Sequence, residues 1–165
     1  MKFLERKIIK DINEDLLLEA LTHSSYSNEH KNCSNYERLE FLGDAVLELI
    51  TSEYFYQNTS FKEGEMTKKR ASFVCEQALS HYAKDLGIDK LIRVGHGQVG
   101  NVNDTIIADI FESIMVCISL DQGIDAARSL FNQVVVPCIK NNNIFLGDYK
   151  SKLQELVQTT KKPLE

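Results

Sequence analysis

Apolar residues recur at three- and four-residue intervals along most of the chain, the rhythm of a helix with one face turned to a core. That period predicts helices over 3–9, 16–22, 36–58, 62–75, 76–86, 105–120, 123–136 and 148–158. Only Pro137 and Pro163 interrupt the chain as prolines. No alternating strand pattern survives: Ile92-Arg93-Val94 is too short to count, and residues 95–104 read as a loop. The chain is predicted to be all-α.

Two of these helices carry carboxylates inside their apolar pattern. In 105–120, at 100° per residue, Ile107, Ile110, Phe111, Ile114 and Ile118 fill one side. Ile106, Ala108 and Met115 flank the other, and Val116 follows Glu112 by one turn. A helix apolar nearly all round is buried, so Asp109 and Glu112, three residues apart, are expected to be buried with it. In 36–58, Glu40 and Asp44 stand four apart and project from one face, which Leu47 and Thr51 extend. Gly43 costs that helix ~1 kcal/mol in propensity; a mid-helix glycine marks a close approach, here by a neighbouring helix. Ser34-Asn35-Tyr36-Glu37 fits a capping box, with Ser34 at the N-cap and Glu37 reaching back. Carboxylates set into apolar helices are costly unless something positive meets them. Hard oxygen donors with no His or Cys beside them favour magnesium or manganese over zinc. Ion-pair networks produce similar constellations, so the residues alone leave both readings open.

The 165 residues are near the usual size of one domain, and 43% hydrophobic with 26% charged residues is ordinary for a soluble globular chain. The net charge of −5 argues against a broadly basic, phosphate-coating surface. Cys33, Cys75, Cys117 and Cys138 show no CxxC spacing and read as reduced, mostly buried thiols. The segment Met1 to Lys7 is too charged for a secretory leader, and no apolar run approaches the ~20 residues a membrane span needs. A cytoplasmic protein without membrane association is expected. Lys68, Lys69 and Arg70 form a basic cluster read as opening a helix; it reads equally as a solvated face or as a contact for nucleic-acid phosphates. His23 reads as a hydrogen-bonded structural residue rather than a catalyst.

The segment Asn35-Tyr36-Glu37-Arg38-Leu39-Glu40-Phe41-Leu42-Gly43-Asp44-Ala45-Val46-Leu47 resembles the pattern N-x-E-R-L-E-F-L-G-D-[AS]-V-L of the ribonuclease III family. Leu21-Thr22-His23-Ser24-Ser25-Tyr26 is similar to that family's L-T-H-x-S-Y, and residues 63–71 to its E-G-x-L-[ST]-x-x-R-A. Residues 107–112 match L-A-D-x-x-E, and Leu120-Asp121-Gln122-Gly123 matches L-D-x-G. The motifs come in the family's order and cover roughly residues 16–147. The resemblance implies the family's helical nuclease fold in a two-fold symmetric homodimer, with a nuclease domain over 1–147. It implies an endoribonuclease specific for double-stranded RNA, processing ribosomal and other structured RNA precursors. Glu40, Asp44, Asp109 and Glu112 are the implied ligands of Mg2+, with Mn2+ a possible substitute and no small-molecule cofactor, and Asp44 and Glu112 are the implied catalytic pair. The implied reaction is hydrolysis without a covalent enzyme intermediate, in which metal lowers the pKa of an in-line water and stabilises developing charge. Products would carry 5′-phosphate and 3′-hydroxyl ends with short 3′ overhangs. Glu37 and Glu63 match positions near the family's cleft and, with Lys68, Lys69 and Arg70, are candidate substrate contacts. Glu63 is equally explained by a helix dipole. Phe41 matches a position that packs across the dimer axis.

Residues 148–156 resemble the opening helix of a double-stranded-RNA-binding domain, but only 18 residues remain from Asp148 onward, too few for a module that spans ~16 base pairs. Residues 148–165 are therefore expected to be a linker and first-helix remnant, either of a nuclease domain cut there, which is favoured, or of a naturally short form. Gly95-His96-Gly97-Gln98 departs from the family's G-x-G-E, the loop after it is short, and Ser113-Ile114-Met115-Val116 replaces A-x-I-G. Alternatives are a short-form relative trimming ribosomal RNA precursors and a non-catalytic RNA-docking module, against which the four intact acids argue. A di-iron carboxylate bundle would want Glu-x-x-His pairs, which neither Glu40 nor Asp109 supplies.

Overall fold

A computed structural model describes residues 12–143 and 145. Among the described residues seven α-helices run in order: α1 Glu14–Ala20, α2 Ser24–Glu29, α3 Glu37–Asn58, α4 Glu63–Phe73, α5 Glu76–Leu86, α6 Asp104–Gln122 and α7 Ile124–Lys140. Short 3-10 turns occupy Ile88–Lys90 and His96–Gln98. Among the described residues there is no strand, only an isolated bridge pairing Thr22 with Arg93. The all-α expectation holds. The helices predicted over 3–9 and 148–158, and the tail 148–165, lie outside the described residues. No described helix is long and apolar enough to cross a membrane.

Helix α6 is the axle of the fold and packs against α1, α3, α5 and α7. From Ile106 to Ile118 every residue on it is buried except Asp109 and Glu112, which are half-buried. The apolar character all round the helix therefore predicts its placement correctly. It overstates the burial of the two carboxylates, which interact with the acids of α3. Asn103 caps α6 by accepting from the Ile106 N–H at 3.0 Å, and Asn13 caps α1 by accepting from Leu16 at 3.1 Å. Gly87, at φ +77°, closes α5 with its N–H on the Ala83 and Lys84 carbonyls, a left-handed stop that suits glycine.

Three local expectations are corrected. Helix α2 has no apolar period of its own and escapes the pattern; it forms because His23 Nδ1 accepts from the Ser25 N–H at 3.1 Å. Helix α7 continues through Pro137 to Lys140 rather than ending at Val136. Pro137 sits in the last turn, where few hydrogen bonds remain to be lost, and buried Val136 and Cys138 hold the turn to the core. The capping box at Ser34 does not form. Helix α3 starts at Glu37, whose N–H is taken by Asn35 Oδ1 at 3.1 Å, because Tyr36 is pinned by its own N–H to the Thr22 carbonyl at 2.9 Å. All four cysteines are free thiols, with Cys117 and Cys138 buried and Cys33 and Cys75 half-buried.

Candidate active site

Gly43 lets α3 and α6 meet backbone to backbone. A Cβ built there would lie 2.5 Å from the Glu112 carbonyl carbon and nearer still to its oxygen. No side chain fits, so the close approach expected from the sequence is real and its partner is the Glu112 peptide. The contact sits between Glu40 and Asp44 on one helix and at Glu112 on the other. It therefore sets the two carboxylate pairs face to face.

The electrostatics follow. Burial first, then the charges of Asp44, Asp109, Glu40 and Glu48, push the Glu112 carboxyl up to about 8. Glu40 is raised by burial and then by Asp109, Glu37 and Asp44. Asp109 is raised by burial, opposed by a hydrogen bond that its Oδ2 accepts from the Tyr36 hydroxyl at 3.1 Å. Burial, with Asp109 as the next cause, holds the Tyr36 phenol well above its ordinary range. Asp44 is exposed. Among the described residues, His23 acts on Asp109 in the opposite sense and lowers it.

Among the described residues no three acidic, histidine or cysteine side chains stand close enough to enclose a metal ion. The four acids line one surface rather than a closed cage. As donors they fit a divalent cation: all are oxygen, and neighbouring carboxylates raise Glu40, Asp109 and Glu112.

Other expected site residues fall around this surface. Glu37 is exposed at the start of α3 and acts on Glu40 through its charge. Glu63, the first residue of α4, instead lines a groove of about 380 Å³ with Ser52, Tyr56, Met66 and Arg70. Ser52 is eight residues beyond Asp44 on α3, ~12 Å along the axis, and Glu63 is absent from the charges acting on the acidic cluster. Lys68 and Lys69 lie mid-helix in α4 and Arg70 in its last turn, not at the opening, which is acidic with Glu63 and Glu65. Arg70 turns inward and donates to Ser52 Oγ at 3.0 Å. Lys68 is exposed and Lys69 half-buried. Phe41 is 84% exposed, so it is no core residue. His23 serves as the cap of α2, the structural role read for it.

Three further residues act on the acids. Glu48, one turn past Asp44, was legible from spacing alone. Glu76 begins α5, raises Asp109 through its charge, and accepts from Thr105 Oγ1 at 3.0 Å. It arrives from another helix, so no local pattern could reveal it. Tyr36 fills the position that the N-x-E-R-L-E pattern leaves open.

A family profile described as Ribonuclease-III-like matches residues 13–139. Ribonuclease 3 of Streptococcus mutans is 42% identical over 96% of this chain, which spans 74% of that protein. The chain belongs to the ribonuclease III family. Ribonuclease 3 of Bacillus cytotoxicus is 44% identical over 94% of the chain, which covers 66% of its length. The ribonuclease III nuclease domain from Campylobacter jejuni superposes with a TM-score of 0.68 at 34% identity, covering 74% of this chain and 86% of that one. A Dicer from Pichia stipitis superposes with a TM-score of 0.60 at 25% identity, over 79% of this chain and 58% of that chain. The architecture is thus that of a ribonuclease III nuclease domain, and the chain is an endoribonuclease of that family. Its departure at Gln98 is accommodated locally, with Nε2 donating to the Asn101 carbonyl at 2.7 Å.

Proposed function

We propose that the chain cuts double-stranded RNA with the help of Mg2+, for which Mn2+ can substitute, held by Glu40, Asp44, Asp109 and Glu112. The observation that carries the reading is the backbone contact of Gly43 with Glu112, which brings four oxygen-bearing side chains to one surface. When bound there, such a cation lowers the pKa of an attacking water and offsets charge on the leaving 3′-oxygen. The chain's own part is to hold these carboxylates in register; the bound cation would keep them ionised. Asp44 and Glu112 are the catalytic pair of this proposal. A carboxyl held near 8 without a cation loses its proton when one binds, so occupancy and charge state rise together. Products with 5′-phosphate and 3′-hydroxyl ends, and a cytoplasmic role in processing ribosomal and other structured RNA precursors, belong to the same proposal.

The active unit of the proposal is a homodimer that sets one acidic surface against each strand of the duplex, giving short 3′ overhangs. The exposure of Phe41 supports it, and the Campylobacter jejuni structure concerns a region involved in dimer formation of that nuclease domain. Glu37, Lys68 and Lys69 are proposed to border the RNA path; Glu63 and Arg70 belong to that path only through the α3–α4 groove.

The test is cleavage of a long RNA duplex at low salt with Mg2+, comparing the wild type with Glu112→Gln. Low salt keeps weak phosphate contacts from masking activity. Cleavage by the wild type alone is expected. No cleavage by the wild type sinks the function, and cleavage that survives Glu112→Gln sinks the site.

A further inference from the structure

One side chain spans both halves of the acidic surface, and it is Tyr36. It is buried, at 4% exposure, and stands one turn before Glu40 at the N-terminal edge of α3. Its hydroxyl crosses to α6 and donates to Asp109 Oδ2 at 3.1 Å. Its backbone is held at both ends: the N–H donates to the Thr22 carbonyl at 2.9 Å, and the carbonyl accepts from the Glu40 N–H at 2.8 Å. The Ser113 hydroxyl of α6 donates to the Asp109 carbonyl at 2.9 Å and stands 3.4 Å from the Tyr36 carbonyl. The His23 ring lies 5.8 Å from the Tyr36 ring, tilted by 48°. Thr22 and His23 belong to the L-T-H stretch, so that motif supports Tyr36 from behind.

We infer that Tyr36 is a positioning residue of the metal site. Its hydroxyl fixes one oxygen of Asp109 and leaves Oδ1 as the oxygen available to a cation, while its backbone locks the start of α3 against α6. The inference rests on the divalent-metal reading of Glu40, Asp44, Asp109 and Glu112. A ligating carboxylate that is free to rotate must be ordered when the cation binds; one already bonded at a single oxygen is not. Partners of this kind, which touch the ligand rather than the metal, typically govern metal affinity by ~10–100-fold. Because Tyr36 also precedes Glu40 by one turn, it relates ligands from both helices to one anchor. No other described side chain both hydrogen-bonds a candidate ligand on α6 and lies one turn before a candidate ligand on α3.

The experiment measures Mn2+ affinity by calorimetry on the whole chain, without RNA, for wild type, Tyr36→Phe, Asp109→Asn and the double variant. The phenyl ring keeps the packing, so the metal-free unfolding midpoint of Tyr36→Phe should change little while Mn2+ affinity falls ~10-fold. In the Asp109→Asn background the same substitution should cost nothing further, since the bond it removes serves Asp109. Unchanged affinity in Tyr36→Phe, with Asp109→Asn weakened, overturns the role of Tyr36 and spares the metal site. An equal loss in both backgrounds also overturns it, because that is the mark of a structural effect. Unchanged affinity in Asp109→Asn overturns the metal reading beneath it. Should Tyr36→Phe fail to fold, the wild-type protein provides a second readout by nuclear magnetic resonance. A slowly exchanging Tyr36 hydroxyl proton that shifts on adding Mg2+ supports the inference, and its absence overturns it.

Discussion

Gly43 on α3 and Glu112 on α6 touch through their backbones, and the contact tolerates no side chain on the glycine. Replacing Gly43 with alanine puts a methyl group against a peptide, which cannot swing aside as a flexible side chain would. Overpacking of that kind costs ~1–3 kcal/mol, against which alanine regains ~1 kcal/mol of helix propensity. Gly43→Ala is therefore expected to lower stability by about 1 kcal/mol in urea unfolding and to weaken Mn2+ binding by separating the carboxylate pairs. Gly64, with nothing within 4 Å of a built Cβ, is the control: Gly64→Ala should leave stability equal or slightly higher.

The raised carboxyl of Glu112 gives stability a definite dependence on pH when no divalent ion is present. Its folded value, about 8, lies above the ordinary 4.5, so the folded state keeps a proton that the unfolded state releases. Its stabilising contribution is complete below pH ~4.5, declines as pH rises toward 8, and is gone beyond it. Glu40 and Asp109, also raised, act in the same direction. Solvent at this half-buried site screens the full linkage value to roughly 2 kcal/mol for Glu112. Metal-free Glu112→Gln should then be more stable than wild type at pH 8 and indistinguishable near pH 4.5, by thermal unfolding in EDTA. Mg2+ should stabilise the wild type more at pH 8 than at pH 5 and have a smaller effect on Glu112→Gln.

Much of this was legible because the decisive residues sit in long periodic helices. The burial of α6, the shared face of Glu40 and Asp44, and the packing role of Gly43 all follow from 3.6-residue geometry. The failures share a different cause. Helix α2 is only six residues long and held by a histidine cap, so it carries no period to detect. The capping box at Ser34 fails because a tertiary bond from Tyr36 to Thr22 fixes the chain just before α3, whose N-cap residue, Tyr36, makes no side-chain cap bond. Arg70 looked like part of a basic patch, yet consecutive residues on a helix point 100° apart, and this one turns toward Ser52. Glu76 and Tyr36 reach Asp109 from other segments of the chain, and no local pattern encodes such a meeting.

The division within the basic run can be tested directly. Lys68→Ala with Lys69→Ala is expected to weaken RNA binding similarly across duplex sequences and to lower the salt dependence of log affinity by about 2. Stability should barely change. Arg70→Ala should do the reverse: it loses the bond to Ser52 and the packing of its stem in the α3–α4 groove, at ~1–2 kcal/mol. Filter binding across a salt series, paired with urea unfolding, separates the two. A salt slope unchanged in the lysine pair would remove Lys68 and Lys69 from the RNA path.

Helix α3 leaves large apolar side chains in solvent: Phe41 at 84%, Leu42 at 41%, Leu49 at 48% and Tyr56 at 77%. Leu42, Leu49 and Tyr56 are seven residues apart, so they form one stripe along the helix, and Phe41 stands beside its start. An exposed apolar stripe of this length marks an interface, and a second copy presenting the same stripe would cover it about a two-fold axis. Each Phe41 buried there contributes ~2 kcal/mol, and symmetry counts it twice. Phe41→Ala should weaken the dimer by about 4 kcal/mol, close to a thousandfold in dissociation constant. Phe41→Asp should leave a monomer at micromolar concentration in sedimentation equilibrium, with helix content by circular dichroism unchanged because no core contact is lost. A wild-type protein that sediments as a monomer at the same concentration would leave the stripe without the partner assigned to it.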